Sequence, residues 1–389
     1  MTKAVDHMLA EIRKLASEIP SRAAEIEAAR RMPSDIVSKL KEIGLYRMFV
    51  PRSHGGLELD FPDGVRVTSE LGKVEGSLGW TATITMGSVL LTSMLPAETY
   101  NRVYENGPDV TLAGSSQPAG TAEAMPGGWR VSGRWPFASG CQQAEWMLAF
   151  CIIKQNGKPV AVSTEDSRPL IRGFILPASE WTIEDTWHVA GLKGTGSHHI
   201  AIKDRFVPEA NFFNIENAVP SLPGPLYRAP FAFLPLTHSA FAVGAAQGAV
   251  NELVELANTG RRQHRAATAM RDSEMFQGEL GRVEADLRAA EALLDVQAAS
   301  HWRDALAGAI KDGASMQSTQ TAVWVASTCV RVADACFALA GGSALYDASP
   351  LQRRLRDIHA GAQHAGVQQR QYAAIGKLRL DIDSKAAVQ

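Results

Sequence analysis

The sequence predicts an α+β protein, mainly α, in three consecutive parts. An N-terminal helical domain covers 1–108, a small antiparallel β-barrel or sandwich covers 109–215, and a C-terminal four-helix bundle covers 216–389. Two observations carry this. Apolar residues recur at three and four up to Pro108 and again after the proline-rich AVPSLPGPLYRAP, the period of an amphipathic helix. Between those stretches the pattern breaks into short extended runs separated by Gly, Pro and Asn, as in a small β-domain.

Met8, Ile12, Leu15 and Ile19 define a first helix closed before Pro20. A second runs from near Pro33 to Gly44, with Ile36, Leu40 and Ile43 on one face, followed by a Pro- and Gly-rich loop. Val67, Leu71, Val74 and Leu78 mark a third, Gly79-Trp80 leads into an apolar fourth, and Pro96 opens another. The strands expected next are Val110–Ala113, Trp129–Ser132, Trp146–Ile153, Pro159–Val162, Gly173–Leu176 and Ile200–Val207. Gly133 is read as a turn, and Pro136 as an edge or a bulge. The bundle helices are Phe231–Thr259, one through Leu280 and Leu294 reaching toward Asp312, one from Val323 to Ala340 closed by Gly341-Gly342, and Leu351–Leu380.

The 389 residues are 46% hydrophobic and 21% charged with a formal charge of -2, an ordinary globular composition. That balance argues against nucleic acid or an anionic membrane as the main partner. The polar N-terminus has no apolar signal core, Trp80 to Leu95 is too short to span a bilayer, and the four cysteines form no CxxC. A reduced, cytoplasmic setting is expected.

Several stretches bear on chemistry. Ala138-Ser139-Gly140-Cys141 gathers small side chains where a flat ligand can approach the backbone, or where a hairpin simply turns. Gly191–Ser197, GLKGTGS, is a glycine-rich turn, but a strand-like HHIAIKDRFVP follows it, so the dinucleotide fingerprint fails on context. His198 and His199 point to opposite faces of that strand with no carboxylate in register, and no metal site is expected. On a continuous last helix, Asp357, Gly361, His364, Gln368 and Gln371 share one stripe, which means a wet subunit seam, a structural histidine or one wall of a polar cavity.

The order of these parts, with several motifs, resembles the acyl-CoA dehydrogenase fold over nearly the whole chain. GSSQPAGTAE (Gly114–Glu123), with Ser115 and Ser116, is similar to the family's flavin-binding turn, and WPFASG (Trp135–Gly140) to the strand beside the flavin ring. WHVAGLKGTGSHHIAIKDRFVP, with Thr195 and Ser197, resembles the closing β-segment, and Gly341-Gly342 followed by PLQRRLRD the bundle's G-G…P…R-D element. Many members carry a catalytic glutamate nine residues after that Arg; counting from Arg356 gives Ala365, with His364 before it.

That departure is similar to the two-component flavin monooxygenases built on this fold. The resemblance implies the oxygenase component of such a system, hydroxylating a small phenolic or indole-like substrate with O2 through a C4a-hydroperoxyflavin. Reduced FMN or FAD would come from a separate NAD(P)H:flavin reductase, since the chain has no nicotinamide-binding motif. His364 and Ser139 are then the expected catalytic residues. Ser115, Ser116, Trp135, Ser139, Thr195, Ser197, Arg261, Arg262, Gly341 and Gly342 are expected on the flavin, with the two arginines reaching a phosphate across a subunit boundary of a homotetramer. Trp80, Trp187, Asp357 and Gln368 are expected to face the substrate. An acyl-CoA dehydrogenase or oxidase with a displaced base, or a non-catalytic flavin binder, stays open at this point.

Overall fold

A computed structural model describes residues 3–216 and 220–380. The chain opens with α1 (Lys3–Leu15), α2 (Ala23–Ala29), α3 (Ser34–Ile43), α4 (Phe61–Val74), α5 (Gly76–Thr92) and α6 (Ala97–Val103). The short α2 has too few turns to show a period and was not expected from the sequence. Gly44 closes α3 in the left-handed conformation, φ +95°. Glu75 starts α5 by accepting from the Leu78 N–H. Helix α5 is apolar all round and correspondingly buried all round, the expected fate of such a helix in a soluble core.

The β-domain comprises β1 (Leu112–Met125), β2 (Gly128–Ala138), β3 (Trp146–Gln155), β4 (Lys158–Pro159), β5 (Ile171–Pro177), β6 (Thr182–Glu184), β7 (His198–Pro208) and β8 (Phe212–Asn214). They form one sheet in the order β6-β7-β2-β1-β3-β5-β8, with β4 on β3. Two expectations need correction. The sheet is mixed rather than antiparallel: β2 turns back on β1, and β3 then returns to the far edge of β1, where it must run parallel to it. Nor do β6 and β8, the ends of the ladder, pair with each other among the described residues. Gly133 is no turn either, since β2 runs straight through it. The pairing of β2 with β7 shifts register beside Gly133, after Val131, and again where Pro136 removes a donor, between Trp135 and Ala138, with Phe137 at φ +64°.

The bundle consists of α7 (Pro230–Asn258), α8 (Glu274–Leu306), α9 (Ala314–Ala340) and α10 (Pro350–Gly361). A short α11 (Tyr372–Arg379) ends the described chain. Helix α8 stops at Leu306, short of Asp312. Helix α9 is long and apolar enough to cross a membrane by length and composition, yet half of it is buried and it packs along α7 and α8. The helical regions share one core: Leu71 and Leu78 belong with Phe241, Ala245, Val325 and Cys329. A second core, with Val131, Trp135, Phe174, Trp181 and Ile200, lies within the sheet.

The largest correction concerns the last expected helix, which is not continuous. Helix α10 ends at Gly361, His364 is extended (φ -60°, ψ 132°), and two single turns of 3-10 helix precede α11. The helix tightens first, with the Gln363 and His364 N–H groups given to the Ala360 and Gly361 carbonyls, and the imidazole then caps the break: its Nδ1 accepts the Gly366 N–H at 3.2 Å. Gly366 itself has low helix propensity. The polar stripe from Asp357 to Gln371 therefore does not exist as one face.

Candidate active site

Trp80, on the apolar helix α5, is where three parts of the chain meet. Its Nε1–H donates to Ser139 Oγ at 3.0 Å, just past the end of β2. Ser139 Oγ lies 2.6 Å from Ser197 Oγ, which lies 2.7 Å from Thr195 Oγ1, whose hydroxyl donates to the Leu192 carbonyl at 2.8 Å. All three hydroxyl side chains are buried. Gly140, at φ +77°, lets the chain turn so that its N–H reaches the Thr195 carbonyl at 2.8 Å. The glycine-rich turn and the WPFASG strand are thus stitched into one polar seam.

On the other side of Trp80 stand two imidazoles. His364 packs edge-on at a centroid distance of 6.0 Å, and His238 of α7 at 5.6 Å. The two histidines stack on each other at 4.0 Å, with ring planes 26° apart. Phe241 adds an edge contact to Trp80 at 5.2 Å; it fits because residue 361 is glycine, where a Cβ would come within 2.4 Å of its ring. An apolar cavity opens here, lined by Trp80, His238, Phe241, Ala326, Ile358 and Val367 among others. A second lies beyond Ser139, against Tyr46, Thr85, Thr111 and Gln143. Neither lining contains a charged side chain.

Electrostatics follow from this burial. The His364 pKa is pushed down to about 4 by desolvation. His238 is held well below the usual imidazole value by desolvation and then by the neighbouring His364. Both rings are therefore neutral at pH 7. Because His364 Nδ1 accepts from Gly366, the proton of its neutral ring sits on Nε2, making that atom a donor.

The remaining expected residues separate into distinct places. Asp357 is buried, and its Oδ1 accepts the Leu192 N–H at 2.6 Å; Trp187 Nε1–H donates to the Leu192 carbonyl at 3.0 Å. Both hold the glycine-rich turn from behind instead of lining the Trp80 cavity, because α10 presents Asp357 toward Gly76 and Gly191. Asp357 is raised to about 7 by burial and then by Glu75. Gln368 Nε2 donates to the Gln363 carbonyl near the surface and takes no part in the cluster. Trp135 is fully buried in the sheet's core, its Nε1–H given to the Phe150 carbonyl at 2.7 Å. Ser115 is buried and Ser116 exposed, at an irregularity of β1 between Ser115 and Gly120. Arg261 and Arg262 follow α7, and Gln263 beside them donates to Leu339 O at 2.9 Å, next to Gly341 at the end of α9. Among the described residues no hydrogen bond or ring contact joins this second cluster to Trp80.

His238 and Phe241 escaped the sequence reading. Their helix is apolar nearly throughout, so one histidine in it carried no periodic signal.

Comparison with known proteins identifies the frame. Residues 2–96 match the acyl-CoA dehydrogenase N-terminal domain and residues 236–369 the acyl-CoA dehydrogenase C-terminal domain. The chain is 32% identical over 350 residues to an indole-3-acetate monooxygenase of Pseudomonas putida, covering 89% of this chain and 86% of that one. It is likewise 32% identical to the oxygenase component of an FADH2-dependent resorcinol hydroxylase of a Rhizobium species, over 93% and 91% of the two chains. The chain belongs to the acyl-CoA dehydrogenase family, in its flavin-dependent monooxygenase branch. Among solved structures, XiaF from a Streptomyces species, in complex with FADH2 and glycerol, superposes on this monooxygenase with a TM-score of 0.90 at 28% identity, covering 99% and 97%.

Proposed function

We propose that this monooxygenase is the oxygenase component of a two-component system and inserts one oxygen atom of O2 into a small phenolic or indole-like ring. The observation that carries the reading is the neutral His364 beside Trp80, its Nε2 a donor, where a dehydrogenase would need a carboxylate base. Residue 365 is an exposed alanine, with no group to take an α-proton.

The residues present fit a reduced flavin, FMN or FAD, delivered by a separate reductase. Trp80 stands between the cavity it shares with Phe241 and a row of buried hydroxyls, and neither cavity beside it is lined by a charged side chain. Ser139, Thr195 and Ser197 would hold its ring system, with Arg261 and Arg262 at a phosphate and Gly341-Gly342 beside them. Bound reduced flavin supplies the electrons that activate O2. Trp80 orients the Ser139 hydroxyl, His364 Nε2–H offers a hydrogen bond to developing negative charge on oxygen, and the apolar lining excludes water.

The separation of the arginine cluster from Trp80 within one chain supports a site completed by a second copy. Leu293 and Val296 of α8, Trp324 of α9, and Leu345 and Tyr346 are exposed and apolar, the kind of surface a homotetramer would cover. A monomer by light scattering at micromolar concentration would remove this element. The function itself is tested by oxygenated product formed per reduced flavin on a panel of phenols and indoles. Bleaching of a dye acceptor with acyl-CoA substrates, and no product from any ring, would overturn it.

A further inference from the structure

His238 is the group in the cavity whose chemistry His364, Trp80 and Ser139 leave unfilled. Its Nε2 is enclosed and has no hydrogen-bond partner among the described residues. The other side of the ring is turned to its own helix: Nδ1 lies 3.5 Å from Thr237 Oγ1, whose hydroxyl hydrogen is already given to the Leu234 carbonyl at 2.8 Å, so Nδ1 is the donor of that pair. A neutral imidazole that donates at Nδ1 keeps a lone pair at Nε2, so this atom is an acceptor. An enclosed acceptor without a partner is a cost in the free protein that a ligand's donor removes.

The neighbouring His364 is oriented the opposite way. Its Nδ1 is filled by the Gly366 N–H, which leaves a donor at Nε2. Stacked at 4.0 Å, the two rings offer one acceptor and one donor from nearly parallel planes, beside a cavity walled by Trp80, Phe241, Ile358 and Val367. The lining carries no charged side chain, which suits an uncharged guest. The guest needs one hydrogen to give to His238.

We infer that His238 Nε2 is the recognition acceptor for the aromatic substrate, selecting rings that carry a neutral O–H or ring N–H. This rests on the monooxygenase reading, since it names the substrate class for that same cavity. His238 is a specificity-determining residue here, while His364 serves the oxygen-activating side.

Indole and benzofuran test this cleanly, because they share size and shape and differ in N–H against ring oxygen. With the reduced-flavin-loaded protein under anaerobic conditions, indole should bind about tenfold more tightly than benzofuran, the worth of one hydrogen bond to an otherwise unfilled acceptor. His238→Leu should reduce that preference to about twofold or less, and His238→Gln, which restores an acceptor oxygen at similar reach, should recover part of it. Equal binding of the two rings by the parent protein overturns the inference even if every variant misfolds, and so does a preference that survives His238→Leu. Either result leaves the monooxygenase reading standing if indole is oxygenated. Failure of every ring in the panel to give product overturns that reading, and the inference with it.

Discussion

The imidazoles of His238 and His364 stack at 4.0 Å although one comes from α7 and the other from the turn that ends α10. Two charged rings could not stack this closely, and burial keeps both neutral. The end of α10 fixes the tautomer: only because the helix has stopped is the Gly366 N–H free to bond His364 Nδ1.

His364→Ala removes the donor that stands beside Trp80 and His238. Losing one preorganised hydrogen bond of this kind typically costs about 2.7–4 kcal/mol in a transition state, roughly a hundred- to thousandfold in rate. The fold and flavin affinity should persist while flavin reoxidation yields hydrogen peroxide instead of product, measured as product per reduced flavin. Because the His364 pKa lies at about 4, the parent's coupling ratio should show no inflection from this residue near pH 6.5. Full coupling in His364→Ala would make the histidine structural.

Ser139→Ala should act in the same direction more weakly. The substitution leaves the Trp80 N–H and the Ser197 hydroxyl without their shared partner, a stability cost of about 1–3 kcal/mol. Tryptophan emission should shift as the Trp80 hydrogen bond is lost. An unchanged spectrum with unchanged coupling would remove Ser139 from the seam that orients the site.

Asp357→Asn should flatten the dependence of stability on pH. In the folded protein burial and Glu75 raise the Asp357 carboxyl to about 7, against an ordinary value of 3.8. Between those values the native state holds a proton that the unfolded chain has released, so stability is greatest at the acid end and falls as pH rises through about 7. Asparagine keeps an oxygen for the Leu192 N–H and has no proton to lose. The variant should therefore gain in Tm at pH 8 and gain little at pH 5, with a smaller residual slope from Glu75, whose carboxyl burial also raises. Parallel Tm–pH curves for parent and variant would contradict this.

Arg354→Met should be the most destabilising of the four. The buried guanidinium donates to the carbonyls of Gly72, Lys73 and Val74 at 2.7–2.9 Å, closing the end of α4, and to Glu252 at 3.0 Å. Removing it strands Glu252 and three carbonyls, a loss of about 3–5 kcal/mol by urea unfolding. A loss under about 1 kcal/mol would mean that water replaces the guanidinium without strain.

Much of this is legible in the sequence alone, because local period and turn chemistry are written in the chain. Ile36, Leu40 and Ile43 gave α3 with Gly44 as its stop, and Ile200 and Ile202 gave β7 after the glycine-rich turn. Motifs that resemble the family's mark Ser139, Ser197 and His364 as candidates; that Ser139 and His364 both reach Trp80 was decided by packing. What sequence could not decide depends on neighbours distant in the chain. The parallel pairing of β3 on β1 depends on which sheet edge the returning strand finds. The break after Gly361 is capped by a single imidazole that takes the Gly366 N–H, which no periodicity records. His238 becomes a site residue only when α7 brings it onto His364, and Asp357 becomes a brace for Leu192 only when α10 packs against the glycine-rich turn. Sequence determines elements through local backbone and side-chain preferences; the site depends on long-range packing, which alone decides which buried polar atoms meet a partner and which are left for a ligand.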